Sequence, residues 1–154
     1  MARALKDLGV AYRTVPCDPS LADTASFCEA YGFDPADCAN CMVIASRRPA
    51  GSLIPALVLA TTRLDVNGRC CELMGVRRAS FASAAQTTEL SGMEIGGVTP
   101  FGLPDDLLPV HVDDQVLSRS QVVVGGGDRS LKLVVDPAVF AGLSLFRVVR
   151  GLAA

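Results

Sequence analysis

The chain has 154 residues, half of them hydrophobic, and a formal net charge of -2. That length suits one domain, residues 1–154, with a substantial buried core. The charge excludes a global basic field of the kind that draws in nucleic acid, so no DNA partner is expected.

A short helix is expected over Ala2–Leu8, then a strand over Val10–Val15 and a turn over Pro16–Leu21. Asp23 or Thr24 caps a helix that runs to Tyr31, and Gly32 stands where a C-cap belongs. A strand over Met42–Ser46 and another over Leu53–Ala60 flank Pro49 and Gly51, which reads as a hairpin. Asp65 is placed to cap a helix that reaches Met74 and stops at Gly75, although Gly68 weakens it. Arg77-Arg78 leads into a short strand, and Ser83 caps a helix ending at Gly92. Strands follow at Leu107–Val112 and Val122–Val124. The turn Gly125-Gly126-Gly127-Asp128 feeds a further strand, Leu131–Val135. Asp136-Pro137 reads as an N-cap followed by proline at the first helical position. Leu145–Val149 fits either a strand or a helix. Mixed strands and helices without regular βαβ alternation indicate an α+β fold with a mixed, largely antiparallel sheet.

The longest uncharged apolar stretch, 49–62, is too short to span a bilayer. The N-terminus lacks the apolar run of a secretory signal. A soluble, cytoplasmic protein with no membrane partner is expected. Cys38 and Cys41 form a C-x-x-C pair, but the adjacent Cys70-Cys71 and the single histidine, His111, do not complete a zinc site. Cys41 opens a β-like run rather than a helix, unlike a thioredoxin-type motif. No metal and no cofactor is expected, and the thiols are read as reduced and buried. Arg47, Arg48, Arg63, Arg77, Arg78, Arg129 and Lys132 are candidates for a local basic patch.

The landmarks gain meaning from their order. They are the helix with Thr24, the turn Y-G-F-D-P, the strand after Asn40 and its hairpin, Leu64-Asp65, V-R-R-A-S, then S-G-x-x-x-G-G-V-T-P-F-G over 91–102, and V-G-G-G-D-R-S-L-K over 124–132. Together they resemble the YbaK/EbsC family, which includes editing domains associated with prolyl-tRNA synthetase. The resemblance runs from about Val10 to Leu143. It implies a β-barrel-like sheet with helices packed outside, and trans-acting hydrolysis of the ester in mischarged aminoacyl-tRNA. The implied partners are the acceptor end of tRNA and an aminoacyl-tRNA synthetase, and a homodimer is a further candidate.

Ester hydrolysis needs donors already fixed around a developing oxyanion. On this resemblance Gly96, Gly97 and Gly102 form a backbone cradle and Pro100 restrains the loop. Thr99 adds a hydroxyl, and Phe101 walls the pocket or stacks on the terminal adenine. Gly125, Gly126 and Arg129 border the same pocket, as does Thr24. Many family members carry a lysine at the start of the central strand, where this chain has Asn40. A neutral amide donates a weaker hydrogen bond than an ammonium. The competing reading is therefore a binding module that holds an aminoacyl-tRNA end, a nucleotide or an amino-acid-like ligand without turning it over. A third is a small-molecule-binding dimer unconnected to RNA. Arg47, Arg48, Arg77 and Arg78 are candidates for phosphate contacts to tRNA. Taken alone, each of these residues also has a plain structural role: loop shape for the glycines, a solvated face for the arginines, a polar residue at the head of a strand for Asn40. His111 is read as a structural strand residue, and Asp113 and Asp114 as strand-ending residues facing water. No side-chain nucleophile paired with a base is evident.

Overall fold

The computed structural model describes residues 2–154. Helix α1 (Ala2–Asp7) precedes strand β1 (Tyr12–Pro16). Helix α2 (Thr24–Tyr31) starts at Asp23, whose carboxylate accepts the Ser26 N–H at 3.1 Å, and ends at Gly32 in the left-handed region. Strands β2 (Ala39–Arg48) and β3 (Ala50–Leu59) pair antiparallel from Ala39 opposite Leu59 to Arg47 opposite Ala50. Beyond them lie α3 (Cys71–Met74), β4 (Arg78–Phe81), α4 (Ala84–Ser91), β5 (Val110–Asp113), β6 (Val122–Gly125), β7 (Leu131–Val135), α5 (Val139–Gly142) and β8 (Phe146–Val149).

The local signals for helix ends hold. Ser83 accepts the Gln86 N–H at 3.0 Å, and Gly75 and Gly92 close α3 and α4 in the left-handed region. Asp65 accepts from the N–H groups of Gly68 and Arg69 and starts a π-helical turn, Val66–Cys70, that runs into α3. A Cβ at Gly68 would collide with that carboxylate. The residue that weakens the helix by propensity is the one its cap requires.

Boundaries shift where long-range pairing decides them. β2 reaches Arg48 because its far end pairs with both β3 and β4. β5 begins only at Val110, since Asp105–Leu107 forms a 3-10 turn. Asp136 accepts the Ala138 N–H at 2.9 Å, so Asp136-Pro137 forms a turn ahead of α5 rather than its cap and first residue. The undecided segment 145–149 is strand β8, parallel to β5.

Two sheets result. One is five-stranded, in the order β4-β2-β3-β5-β8, with β3–β5 and β5–β8 parallel and the other pairs antiparallel. The other is three-stranded and antiparallel, β1-β7-β6. A parallel bridge between Cys38 and Val123 joins the head of β2 to β6. This is the expected mixed α+β architecture. The main core includes Leu57 of β3, Val110 and Val112 of β5 and Leu133 of β7, with Phe101 and Phe140 stacked and Phe146 edge-on to both, at ring-centroid distances of 4.9 to 6.0 Å. Burying each such ring contributes roughly 1.5–3 kcal/mol.

His111 is buried in β5, as a structural strand residue should be, and burial lowers its pKa. Asp113 departs from the sequence reading. It is fully buried, and its Oδ1 accepts the N–H groups of Leu152 at 3.1 Å and Ala153 at 3.3 Å. It anchors the C-terminal segment, and this satisfied role is why a carboxylate at a strand end does not face water.

Candidate ligand pocket and arginine groove

The head of β2, the adjoining ends of β6 and β7, the start of α2, the end of β4 and the loop 95–98 enclose a cavity of about 360 Å³. Its walls are mostly apolar, including Phe27, Val43, Phe81, Val98 and Val123. The few polar groups are Asp23, Thr24, Asn40, Thr87 and Lys132, together with the thiols of Cys38 and Cys41. An apolar cavity with sparse polar groups is the usual form of a small-ligand site.

Of the residues expected at a site, Thr24, Asn40, Gly96 and Gly125 line this cavity. Thr24 Oγ1 lies 3.5 Å from Asn40 Oδ1, at the outer limit of a hydrogen bond. Asn40 is exposed at the mouth.

The other expected residues stand outside the lining. Phe101 is fully buried among Phe140 and Phe146, so its ring is closed to an adenine. Thr99 is also fully buried, and its Oγ1 accepts the Phe101 N–H at 3.4 Å. Pro100 is buried and Gly102 faces solvent. Gly126 N–H donates to Leu131 O at 3.1 Å inside the hairpin turn.

The glycines have a packing cause. Gly97 N–H donates to Glu94 O at 3.0 Å, and Gly97 O accepts the Gly127 N–H at 2.7 Å. A Cβ at Gly97 would overlap the Asp128 backbone, and one at Gly125 would overlap Val98 O. The loop and the turn lie backbone against backbone, where only glycine fits. Arg129 clamps the pair: its Nη1 donates to Ile95 O at 3.0 Å and its Nε to Pro19 O at 3.0 Å. Its guanidinium is engaged with carbonyls of the scaffold.

One pocket residue was named in the sequence only as a candidate for a basic patch. Lys132 is buried on β7, and its Nζ donates to Gly96 O at 2.9 Å. Nζ also sits 5.7 Å from the centroid of the Phe27 ring. Burial pushes its pKa down. The signal available in the sequence was a single charge inside the apolar strand L-K-L-V-V.

The remaining ionisable groups are poor bases and nucleophiles. Asp23 is held below the ordinary carboxylate range by the N–H it caps. Burial pushes Cys38 and Cys41 each to about 12. Cys38 lies 3.4 Å, Sγ to Sγ, from Cys28 of α2, so within the C-x-x-C its thiol neighbour is not Cys41. A thiol held protonated is inert.

The far end of β2 carries a second feature. Arg47, Arg48, Arg77 and Arg78 line one groove with Asn67 and Ser80. All four arginines are exposed. Arg47 Nε donates to Ser80 Oγ at 2.6 Å, which ties it to β4. None of the four takes part in an ion pair among the described residues. From Asn40 to Arg47 along β2 is about 23 Å at the rise of a strand.

Comparison with known proteins agrees with this architecture. The profile of the aminoacyl-tRNA editing domain family matches residues 18–143. The solved structure of the hypothetical protein APE2540 superposes with a TM-score of 0.87 at 24% identity, covering 99% of this chain and 98% of its own. A proposed trans-editing enzyme for prolyl-tRNA synthetase gives 0.82 at 24% identity, covering 96% and 91%. A scaffold protein from computational epitope grafting gives 0.79 at 22%, covering 96% and 92%. No curated protein gives a significant match. No described helix is long and apolar enough to cross a membrane.

Proposed function

The chain belongs to the aminoacyl-tRNA editing domain family, and on that premise we propose that it hydrolyses the ester of a mischarged aminoacyl-tRNA in trans. The observation that carries this reading is the pairing of sites along β2. A small apolar pocket stands at its head and a groove of four arginines at its far end. The pocket takes the aminoacyl ester and the groove takes phosphates of the acceptor end, where a few cationic contacts suffice to fix position. A synthetase fits as the source of the mischarged substrate.

The chemistry follows from what the pocket contains. Water attacks the ester carbonyl carbon, and the carbonyl electron pair moves onto oxygen. When this tetrahedral adduct collapses, the bond from carbon to the ribose oxygen breaks. The proton lost by the water ends on that ribose oxygen, leaving a free amino acid and tRNA. Neither a low-pKa Asp23 nor the protonated thiols suit proton abstraction near neutral pH. Positioning and stabilisation of the oxyanion therefore carry the step, with a hydroxyl of the terminal ribose as the proton relay. Asn40 at the mouth offers an amide donor to the substrate.

The exposure and neutrality of Asn40 favour a second reading, in which the pocket binds an aminoacyl end without hydrolysing it. Release of amino acid from a panel of mischarged tRNAs decides between them. Hydrolysis is expected from one or two of the panel, lost in a Thr24→Phe variant that fills the pocket. Binding without release from any of them overturns the editing reading in favour of the module.

A further inference from the structure

Lys132 is out of keeping with its surroundings. It lies on the same face of β7 as Val134, which packs with Phe27, Cys28, Cys38 and Val123 in an apolar cluster. Lysine is seldom buried without a carboxylate partner. No ion pair engages it among the described residues. An ammonium has three donors. One goes to Gly96 O and one face meets the Phe27 ring, and both of those residues line the cavity.

The loop next to it offers few alternatives. Gly97 N–H is taken by Glu94, Phe101 N–H by Thr99, and Thr99 N–H by Met93 Sδ. The backbone cradle expected from the glycine motif is largely occupied by its own turn.

We infer that Lys132 is the oxyanion-binding group of the pocket, with its free N–H aimed at the oxygen that gains charge when the ester carbonyl is attacked. The inference rests on the editing reading of the same pocket and names the residue that does its work. It also accounts for a neutral Asn40: the positive charge reaches the pocket from β7 instead of from the head of β2. Gly96 O orients the ammonium, and the Phe27 ring holds it without neutralising it.

The test separates charge recognition from a structural clip between β7 and the loop. Two families of 3′-aminoacyl-adenosine analogues are used, with alanine, serine, cysteine and valine side chains. One carries a tetrahedral phosphonate anion in place of the ester, the other a neutral amide. Calorimetric binding to wild type, Lys132→Met, Lys132→Gln and Lys132→Arg is compared. Wild type is expected to prefer the phosphonate, and Met and Gln to lose that preference by about 10²-fold, with amide binding within a few-fold and Arg retaining most of it.

The pH profile adds a signature that a clip would not give. The groups facing Lys132 are Cys17, Cys38, Arg129 and Asp23, and burial lowers its pKa. The phosphonate preference of wild type then fades, as pH rises, below the usual lysine range, while that of Lys132→Arg persists. A preference that survives in both Met and Gln, or phosphonate and amide weakened alike, overturns the inference. So does wild type that prefers neither analogue. If a variant fails to fold, the wild-type profile alone decides. Release from mischarged tRNA is measured in parallel. Release that is unaffected by Lys132→Met leaves editing standing and removes Lys132. A Lys132-dependent phosphonate preference without release does the reverse.

Discussion

The two ends of β2 solve different problems. At its head the pocket is built by close contact: backbone of the 94–98 loop against backbone of the 125–129 turn, clamped by Arg129. At its far end four exposed arginines line an open groove, and among the described residues only Arg47 is tied down by a neighbouring side chain. The first end is closely packed and mostly apolar, with Asp23 and Lys132 as the charged groups of its lining, and the second is exposed and cationic. A closely packed site selects by shape, and an exposed cationic groove draws in phosphates through charge. On the proposed editing reading, the difference separates reaction from attachment along one strand.

That separation can be broken from either side. Gly97→Val has the largest expected effect. Its side chain collides with the Asp128 backbone, so loop and turn must part. A loss of about 3 kcal/mol is expected in urea unfolding, with the pocket disordered and the groove unchanged. Full stability would show that the close approach is not required.

Replacing Arg48, Arg77 and Arg78 together by alanine attacks the other end. tRNA affinity is expected to fall about 100-fold, and the slope of log K against log salt to shrink by about 2 to 3. Arg47 is left in place because it ties β2 to β4. An unchanged slope would remove the groove from the account.

Asp113 tests whether stability can be altered away from both ends. Its folded pKa is raised by burial above the ordinary 3.8. The native state thus holds the proton more tightly than the unfolded one, so this contribution is present below about pH 3.8 and fades as pH rises through the folded value. Asp113→Ala leaves the Leu152 and Ala153 N–H groups without their acceptor and should cost about 2 kcal/mol, with tRNA affinity unchanged. Acid and neutral unfolding curves check both statements.

Asn40→Ala is the mildest. Deacylation should fall about tenfold, the loss of one neutral hydrogen bond in the transition state, with tRNA binding preserved. A fall in binding instead would place Asn40 in the attachment half.

Much of this was legible in the chain because the signals are local. The caps at Asp23, Ser83 and Asp65 and the stops at Gly32, Gly75 and Gly92 depend on residues a few positions apart. The order of landmarks carried the family. The parallel pairing of β8 with β5 was not legible, since it depends on residues far apart in sequence. Nor was the burial of Asp113, whose partners lie 39 and 40 residues away. The G-G-V-T-P-F-G motif was legible as special, but the cause for Gly97 and Phe101 is packing, which a motif cannot distinguish from ligand contact. Lys132 carries no motif of its own: only the three-dimensional arrangement shows that a buried lysine faces the cavity and belongs to no ion pair among the described residues.

The most direct test of the central claim compares kcat/KM on a mischarged tRNA with that on its 3′-aminoacyl-adenosine fragment, for wild type and for the triple Arg48, Arg77, Arg78→Ala variant. The account predicts that wild type favours the tRNA, that the variant loses this advantage, and that both hydrolyse the fragment equally. Equal loss on tRNA and fragment would contradict it, because the groove would then belong to the reaction and not to attachment alone.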